Sequence, residues 1–341
     1  MIDFFWGKRT EELRTYFVSE NVIYDKNMKN NFNTSTVKEL IKHTKFEGFH
    51  IENIEEGVST DVYKLTDKDK TYYLRILFEN EISDFQSLVH KLLLEKGVKV
   101  PKVVFCKNEV AVINNKSFMI IEEIMGNSLN AYKKSESGQA IESISISAGR
   151  DLAQINSIKT KGFGWFTKIE NEVLIGEHSN IKDFLFEKFN KSLSVLVQNN
   201  VIKEDFSVRI KNYHKDNEEV ITKLDKNSFL SHGDFNENHI YQLNGKYTGI
   251  IDFGNIKGTP KYYDLAYLYS FDRDIFEGIV KGYKEITQLD DNYLEIIRYL
   301  SIIVCVNKIY WTMKNRPHKL INHRGFNTIE EILRLHIEPQ R

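Results

Sequence analysis

The chain has 341 residues, of which 41% are hydrophobic and 28% charged, and a formal net charge of −1. That length predicts about two domains or one bilobal unit, and the apolar share excludes collagen-like, coiled-coil and disordered classes. Balanced charge leaves no electrostatic footprint for nucleic acid. Two isolated cysteines, Cys106 and Cys305, make neither a disulfide framework nor a zinc site and read as small buried apolar side chains. The N-terminal run Met1–Arg9 is too short for a signal peptide, and Ile302–Val306 falls far short of the ~20 residues a membrane span needs. A soluble, cytoplasmic protein is expected, with no membrane or nucleic-acid partner.

Residues 1–45 read as a polar lead-in, with a helix start at Thr34/Ser35/Thr36. From Phe49 the hydrophobic period shortens towards two. Strands are predicted at His50–Ile54, Val62–Leu65, Tyr72–Leu77, Lys102–Phe105 and Phe118–Ile121. One helix interrupts them, Phe85–Glu95, stopped by Gly97 before Pro101 reopens a strand. Beyond Leu129 the pattern turns helical, over Ile144–Ile158, Ile181–Gln198, Asp205–Leu224, Tyr263–Ser270, Ile275–Glu285 and Tyr293–Lys314. A single hairpin breaks in, His239–Leu243 and Tyr247–Phe253, joined at Asn244-Gly245. The chain thus divides near Met125-Gly126-Asn127-Ser128 into a β-rich part and an α-rich part.

The hairpin is flanked by chemistry. Before it stands Ser231-His232-Gly233-Asp234-Phe235-Asn236-Glu237-Asn238-His239, and after it Ile251-Asp252-Phe253-Gly254. A His-x-Asp loop, a short hairpin and an Asp-Phe-Gly follow in that order in the catalytic half of protein kinases. Phosphoryl transfer needs one carboxylate to orient the attacking hydroxyl and accept its proton, and another to hold Mg²⁺ against the nucleotide phosphates. Asp234 suits the first role and Asp252 the second.

Further motifs stand in register: Glu56-Gly57 before a β pair, Tyr73-Leu74-Arg75-Ile76, Ile121-Glu122-Glu123-Ile124-Met125-Gly126, Gly162-Phe163-Gly164 and Tyr263-Asp264-Leu265-Ala266. In this order they resemble the aminoglycoside phosphotransferase family, from about Glu52 to at least Ile303. The resemblance implies an α+β, bilobal, protein-kinase-like fold. Residues 1–45 would be an extension, 46–125 a nucleotide-binding N-lobe with a five-stranded antiparallel sheet, and 126–341 a helical C-lobe for catalysis and acceptor binding. It implies an enzyme that moves the γ-phosphoryl group of ATP or GTP, with Mg²⁺, to a hydroxyl of a small molecule. An aminoglycoside antibiotic such as hygromycin B is the expected acceptor, and the expected protein is a monomer or weak dimer.

By the same resemblance Asp234 is the base, Asp252 a metal ligand, and His232 and Asp264 supports of the catalytic loop. Gly57, Ser59 and Thr60 would hold phosphate, and Glu122 and Ile124 would lie in the hinge that binds the purine. Two positions depart from the family. His239 stands where Asn usually supplies a second metal ligand, and imidazole suits Mg²⁺ less well than oxygen does. Arg75 stands where Lys is common; it keeps the charge and adds a bidentate fork. Its partner on the helix is open between Asp84 and Gln86. Carboxylates between Asp272 and Glu295, among them Asp272, Asp274 and Glu277, are the candidates for holding a polycationic acceptor. Tyr299, Tyr310 and Trp311 are candidates for sugar stacking or for core packing. The strand and loop motifs look most like hygromycin B phosphotransferase, whereas His239 leans towards macrolide kinases. A macrolide, choline, homoserine or a sugar is the rival acceptor, and a catalytically silent kinase-fold binding protein the rival of another class.

Overall fold

The computed structural model describes residues 32–54, 60–77, 83–134, 138–224 and 227–337. Its first helix, α1 (Thr34–Ile41), starts where Asn33 accepts a hydrogen bond from the Thr36 amide at 2.9 Å. Strands β1 (His50–Ile54), β2 (Asp61–Asp67) and β3 (Lys70–Ile76) follow, then α2 (Ser83–Glu95), β4 (Val103–Val110) and β5 (Lys116–Glu122). The five strands make one antiparallel sheet in the order β1-β2-β3-β5-β4. Burial alternates along β2, so Tyr63 and Leu65 face the core while Lys64 and Thr66 face away. Val37, Leu40 and Ile41 of α1 close that core against Tyr63, Leu65, Leu74 and Phe118. Part of the polar lead-in therefore packs on the sheet.

Helix α2 follows a different allegiance. Its buried Val89 and Leu93, with Val98 and Val100 beyond it, join the apolar core of the second half of the chain. That half begins with β6 (Asn127–Ser128), α3 (Leu129–Tyr132), α4 (Gly138–Ile155), β7 (Lys159–Thr160), β8 (Phe163–Glu170) and β9 (Val173–His178). It continues with α5 (Ile181–Gln198), α6 (Glu204–Asp216), α7 (Glu219–Lys223), β10 (Ser228–Ser231), β11 (Ile240–Leu243), β12 (Lys246–Ile250) and β13 (Lys257–Thr259). It ends in α8 (Tyr263–Phe271), α9 (Arg273–Ile286), α10 (Tyr293–Asn315) and α11 (Arg324–Ile337).

Several expectations are corrected. A second antiparallel sheet, β7-β10-β13-β8-β9, was not anticipated. The helix expected over 205–224 breaks at Asn217, which ends α6. The strand expected over 247–253 ends at Ile250, because Asp252 turns into the left-handed region. The hairpin turn itself is as expected: Asn244 and Gly245 both have positive φ, 52° and 74°, as a two-residue primed turn requires.

Helix α10 is apolar all round, which marks a core helix rather than an amphipathic one. It is the helix among the described residues whose length and composition would suit a membrane, yet 72% of its apolar window is buried inside the protein.

Burial also strands two imidazoles. His214 of α6 sits among the rings of Phe186, Phe189, Tyr213 and Tyr299, and neither of its nitrogens has a hydrogen-bond partner. Removal from water pushes its pKa down to about 3. Burial, then the nearby charges of Arg75 and His232, push His90 down to about 4. Above pH ~6.5 both rings are neutral folded or unfolded, and they cost nothing. Below it only the unfolded chain takes up the protons, so stability falls as pH falls. Asp272, raised to about 6 by burial and Glu237, works in the opposite direction below that pH. Urea unfolding at pH 7 and pH 5 is expected to show a loss of about 2 kcal/mol per buried ring, partly offset by Asp272. His214→Phe should remove its share of that slope; an unchanged slope would show that the ring is solvated.

Candidate active site

Strand β10 delivers the chain into a tight loop at His232–His239. Gly233 adopts φ +78°, and a Cβ there would stand 2.0 Å from the Asn255 carbonyl oxygen, so the loop can lie this close only with glycine. Asp264, at the start of α8 and only 1% exposed, braces the loop from beneath. Its carboxylate accepts the Ser231 hydroxyl at 2.7 Å and the His232 amide, the Gly233 amide and the Asn156 side chain at 2.9 Å each. His232 Nε2 donates to the Ile251 carbonyl at 2.9 Å, tying the loop to the chain that leaves the hairpin. Burial, reinforced by His239, lowers the His232 pKa, so the ring serves as a neutral donor. Phe253 packs between His232 and His90, with ring centroids 4.7 and 5.0 Å away. The two supporting residues expected from sequence, His232 and Asp264, thus lie at the base of the loop.

Asp234 receives the Tyr267 hydroxyl on Oδ1, and Lys308 Nζ stands 3.5 Å from the same oxygen. Burial opposes its ionisation, but Lys308, His239 and the Tyr267 hydrogen bond outweigh burial and lower its pKa. It is a carboxylate at neutral pH. Asp252 sits at φ 66°, ψ 65°, in the left-handed region that few residues besides glycine adopt and that Asp and Asn tolerate best. Its Oδ1 is bonded to Arg75 at 2.6 Å. Burial again opposes the charge, but Arg75, His239 and His232 together hold the Asp252 pKa down to about 2. The carboxylate on Arg75 is therefore Asp252; Asp84 is exposed on the first turn of α2 and Gln86 is buried in it.

His239 joins the two carboxylate residues. Its Nδ1 lies 2.9 Å from the Asp234 carbonyl, which can only accept, and 3.2 Å from Asn236 Nδ2; the shorter contact assigns the proton to Nδ1, with the Asn236 amide donating to the same Asp234 carbonyl at 2.8 Å. Its Nε2 then faces Asp252 Oδ2 at 3.4 Å. A neutral ring presents a lone pair beside the carboxylate, and a protonated ring pairs with it. Asp234 and His239 of one loop, Asp252 after the hairpin and Arg75 of β3, from three separate stretches of sequence, form one site.

Other candidates are placed differently. Glu122 ends β5 beside the crossing to the second half, Ile124 packs near Gly249, and Thr60 precedes β2. Gly57 and Ser59 lie outside the described residues. Asp272 is buried and accepts the Glu237 amide at 3.2 Å, Asp274 pairs with Lys133, and Glu277 is exposed on α9. None of these three hydrogen-bonds or ion-pairs with Asp234. Tyr299 is a core residue. Tyr267 and Lys308, which do touch Asp234, carried no motif in the sequence. They stand on helices whose apolar patterns gave no reason to single them out.

The phosphotransferase enzyme family model matches residues 50–296, more than half of the chain. No curated protein matches the sequence. Among solved structures, aminoglycoside phosphotransferase APH(4)-Ia superposes with a TM-score of 0.66 at 16% identity, covering 89% of this chain and 99% of that one. A gentamicin complex of APH(2″)-IIa gives a TM-score of 0.59 at 16% identity, covering 89% and 97%. A fructosamine-3-kinase candidate from Haemophilus somnus 129PT also gives 0.59 at 16% identity, covering 88% and 97%. At such identity these likenesses show a shared fold.

Proposed function

The chain belongs to the phosphotransferase enzyme family, and from that premise we propose that it transfers the γ-phosphoryl group of ATP or GTP to a hydroxyl of a small molecule. The observation that carries this reading is the joining of Asp234 and Asp252 through His239, at the two open ends of one rigid hairpin. Phosphoryl transfer asks the protein for position and charge rather than for a covalent intermediate. Asp234, ionised and oriented by Tyr267, takes the proton of the attacking hydroxyl. Arg75 offers a fixed guanidinium to phosphate oxygens, and Glu122 to Ile124 offer backbone groups to the purine.

The fit to Mg²⁺ rests on donor chemistry. Among the described residues no three His, Cys, Asp or Glu side chains gather to hold a metal ion alone. Mg²⁺ does not require that, since it keeps several waters and takes one or two carboxylates plus substrate phosphates. Asp252 would hold it, and His239 Nε2 is a second donor, less suited by its softness. Bound there, the ion would neutralise charge on the transferring group.

The aminoglycoside reading draws support from fold neighbours: one solved complex of APH(4)-Ia contains AMP-PNP and hygromycin B. A silent nucleotide-binding protein is the second reading, favoured by His239 at the usual Asn position and by Arg75 resting on Asp252. The test is ADP and GDP release by the purified chain with Mg²⁺, across aminoglycosides, macrolides, choline, homoserine and sugars. Acceptor-stimulated release supports the transferase, and nucleotide binding with no release under any acceptor supports the silent protein. Arg75→Met should raise the nucleotide Kd by about ten- to hundredfold, because a charge-assisted bond contributes about 1.5–3 kcal/mol. Titration of AMP-PNP into both proteins checks this, and equal affinity would remove Arg75 from the phosphate site.

A further inference from the structure

The two carboxylate oxygens of Asp234 are used unequally. Oδ1 receives the Tyr267 hydroxyl, and the Lys308 ammonium stands 3.5 Å from the same oxygen. Among the described residues Oδ2 receives no hydrogen bond. The main-chain carbonyl is occupied separately, by His239 Nδ1 at 2.9 Å and Asn236 Nδ2 at 2.8 Å. One oxygen is anchored and the other is open.

The anchors come from two packed helices. Tyr267 lies one turn after Asp264 on α8, so the helix that braces the loop from beneath also reaches its carboxylate. Ser301 of α10 donates its hydroxyl to the Ala266 carbonyl of α8 at 3.1 Å. Lys308 stands two turns further along the same stripe of α10, which carries its side chain to the loop. Its ammonium lies 5.4 Å from the ring centre of Tyr267 and 5.0 Å from that of Trp311, which confines it between two aromatic faces. Among the described residues Asp234 is the one carboxylate paired with it. The side chains of Lys308 and Asp234 are 34% and 22% exposed, and an ion pair so open to water contributes little to stability. It matters more to a reacting group, which has to be charged and correctly turned when the hydroxyl arrives.

We infer that Lys308 is a positioning residue for the transfer: with Tyr267 it anchors Oδ1 of Asp234 and leaves Oδ2 for the acceptor hydroxyl. This rests on the phosphotransferase reading and adds a residue to its site. In that step the hydroxyl passes its proton to Oδ2 and its oxygen forms a bond to the γ-phosphorus. The bond from that phosphorus to the β–γ bridging oxygen breaks, and its electron pair leaves with the nucleoside diphosphate. Lys308 touches none of the reacting atoms and acts through Asp234.

The test uses the full chain with Mg²⁺, ATP or GTP, and the acceptor of the panel that gives the fastest nucleoside diphosphate release. Lys308→Met is expected to lower kcat about tenfold or more, with acceptor KM and AMP-PNP Kd within about twofold of the parent. Its Tm should stay within about 3 °C. Lys308→Arg keeps the charge and should hold kcat within about threefold of the parent. Made on top of Asp234→Asn, the same Lys308→Met change should cost less than about twofold, because a residue that acts through a carboxylate has nothing to act on once that charge is gone. A merely structural lysine would slow both backgrounds equally. Parent-like kcat in Lys308→Met, a tenfold loss that persists on Asp234→Asn, or Lys308→Arg as slow as Lys308→Met would overturn the inference. No release by the parent chain with any acceptor would bring down the phosphotransferase reading, and this inference with it.

Discussion

Asp234→Asn should yield a folded protein whose acceptor-dependent turnover falls by about 10²–10⁴-fold, the span that general-base groups contribute. Asn keeps the shape of Asp and keeps an oxygen for the Tyr267 hydroxyl, so the loop loses no buried hydrogen bond there. What it loses is the charge that accepts the proton and faces Lys308. That lysine is partly exposed, and water can solvate it in the variant. Arg75 and Asp252 are untouched, so AMP-PNP affinity should stay within about twofold, which is under 0.5 kcal/mol. Alanine is the poorer test, because it leaves the Tyr267 hydroxyl without its partner. Steady-state ADP release with a productive acceptor decides the matter. Turnover like that of the parent chain would mean that Asp234 is not the base.

Asp264→Ala should strike stability instead. One carboxylate serves four donors, two of them backbone amides of the His232–His239 loop, and all of them are shielded from water. An orphaned buried donor costs about 1–3 kcal/mol, so the variant should lose about 4 kcal/mol or more of unfolding free energy. Asp264→Asn keeps one accepting oxygen and turns an amide group towards the remaining donors, and an intermediate loss is expected. Urea midpoints at constant m-value provide the measurement. A loss below about 1 kcal/mol for alanine would show that water replaces the carboxylate.

The first sheet was legible because its strands are long enough to alternate: β2 and β3 each run seven residues. The second sheet was not. Lys159–Thr160, Ser228–Ser231 and Lys257–Thr259 are too short to show a period, and they pair with one another and with Phe163–Glu170 across long sequence separations. The β8–β9 hairpin turns at Asn171-Glu172, both at positive φ, without the glycine that advertises such a turn. In the site, Asp234, Asp252, Asp264, His232 and Arg75 could be named because each belongs to a motif. The Arg75 partner could not be found by looking along α2, since it lies on the far side of the sequence at Asp252. Tyr267 and Lys308 reach Asp234 only through tertiary packing, and a single chain carries no spacing that records such contacts.

Helix α2 gives the two halves of this protein a shared inheritance. It is threaded into the first sheet by sequence, yet Val89 and Leu93 lie in the interior of the second half. Its His90 rests on the Phe253 ring beside the His232–His239 loop. A chimera built by exchanging the first 125 residues for those of a relative would import a helix whose apolar face was fitted to another core. Such a swap succeeds only if α2, or its face, stays with the half it packs against. Because α2 also packs on β4 and β5 of the first sheet, an exchange has to keep it matched to two cores at once, which the visible junction after β5 does not do.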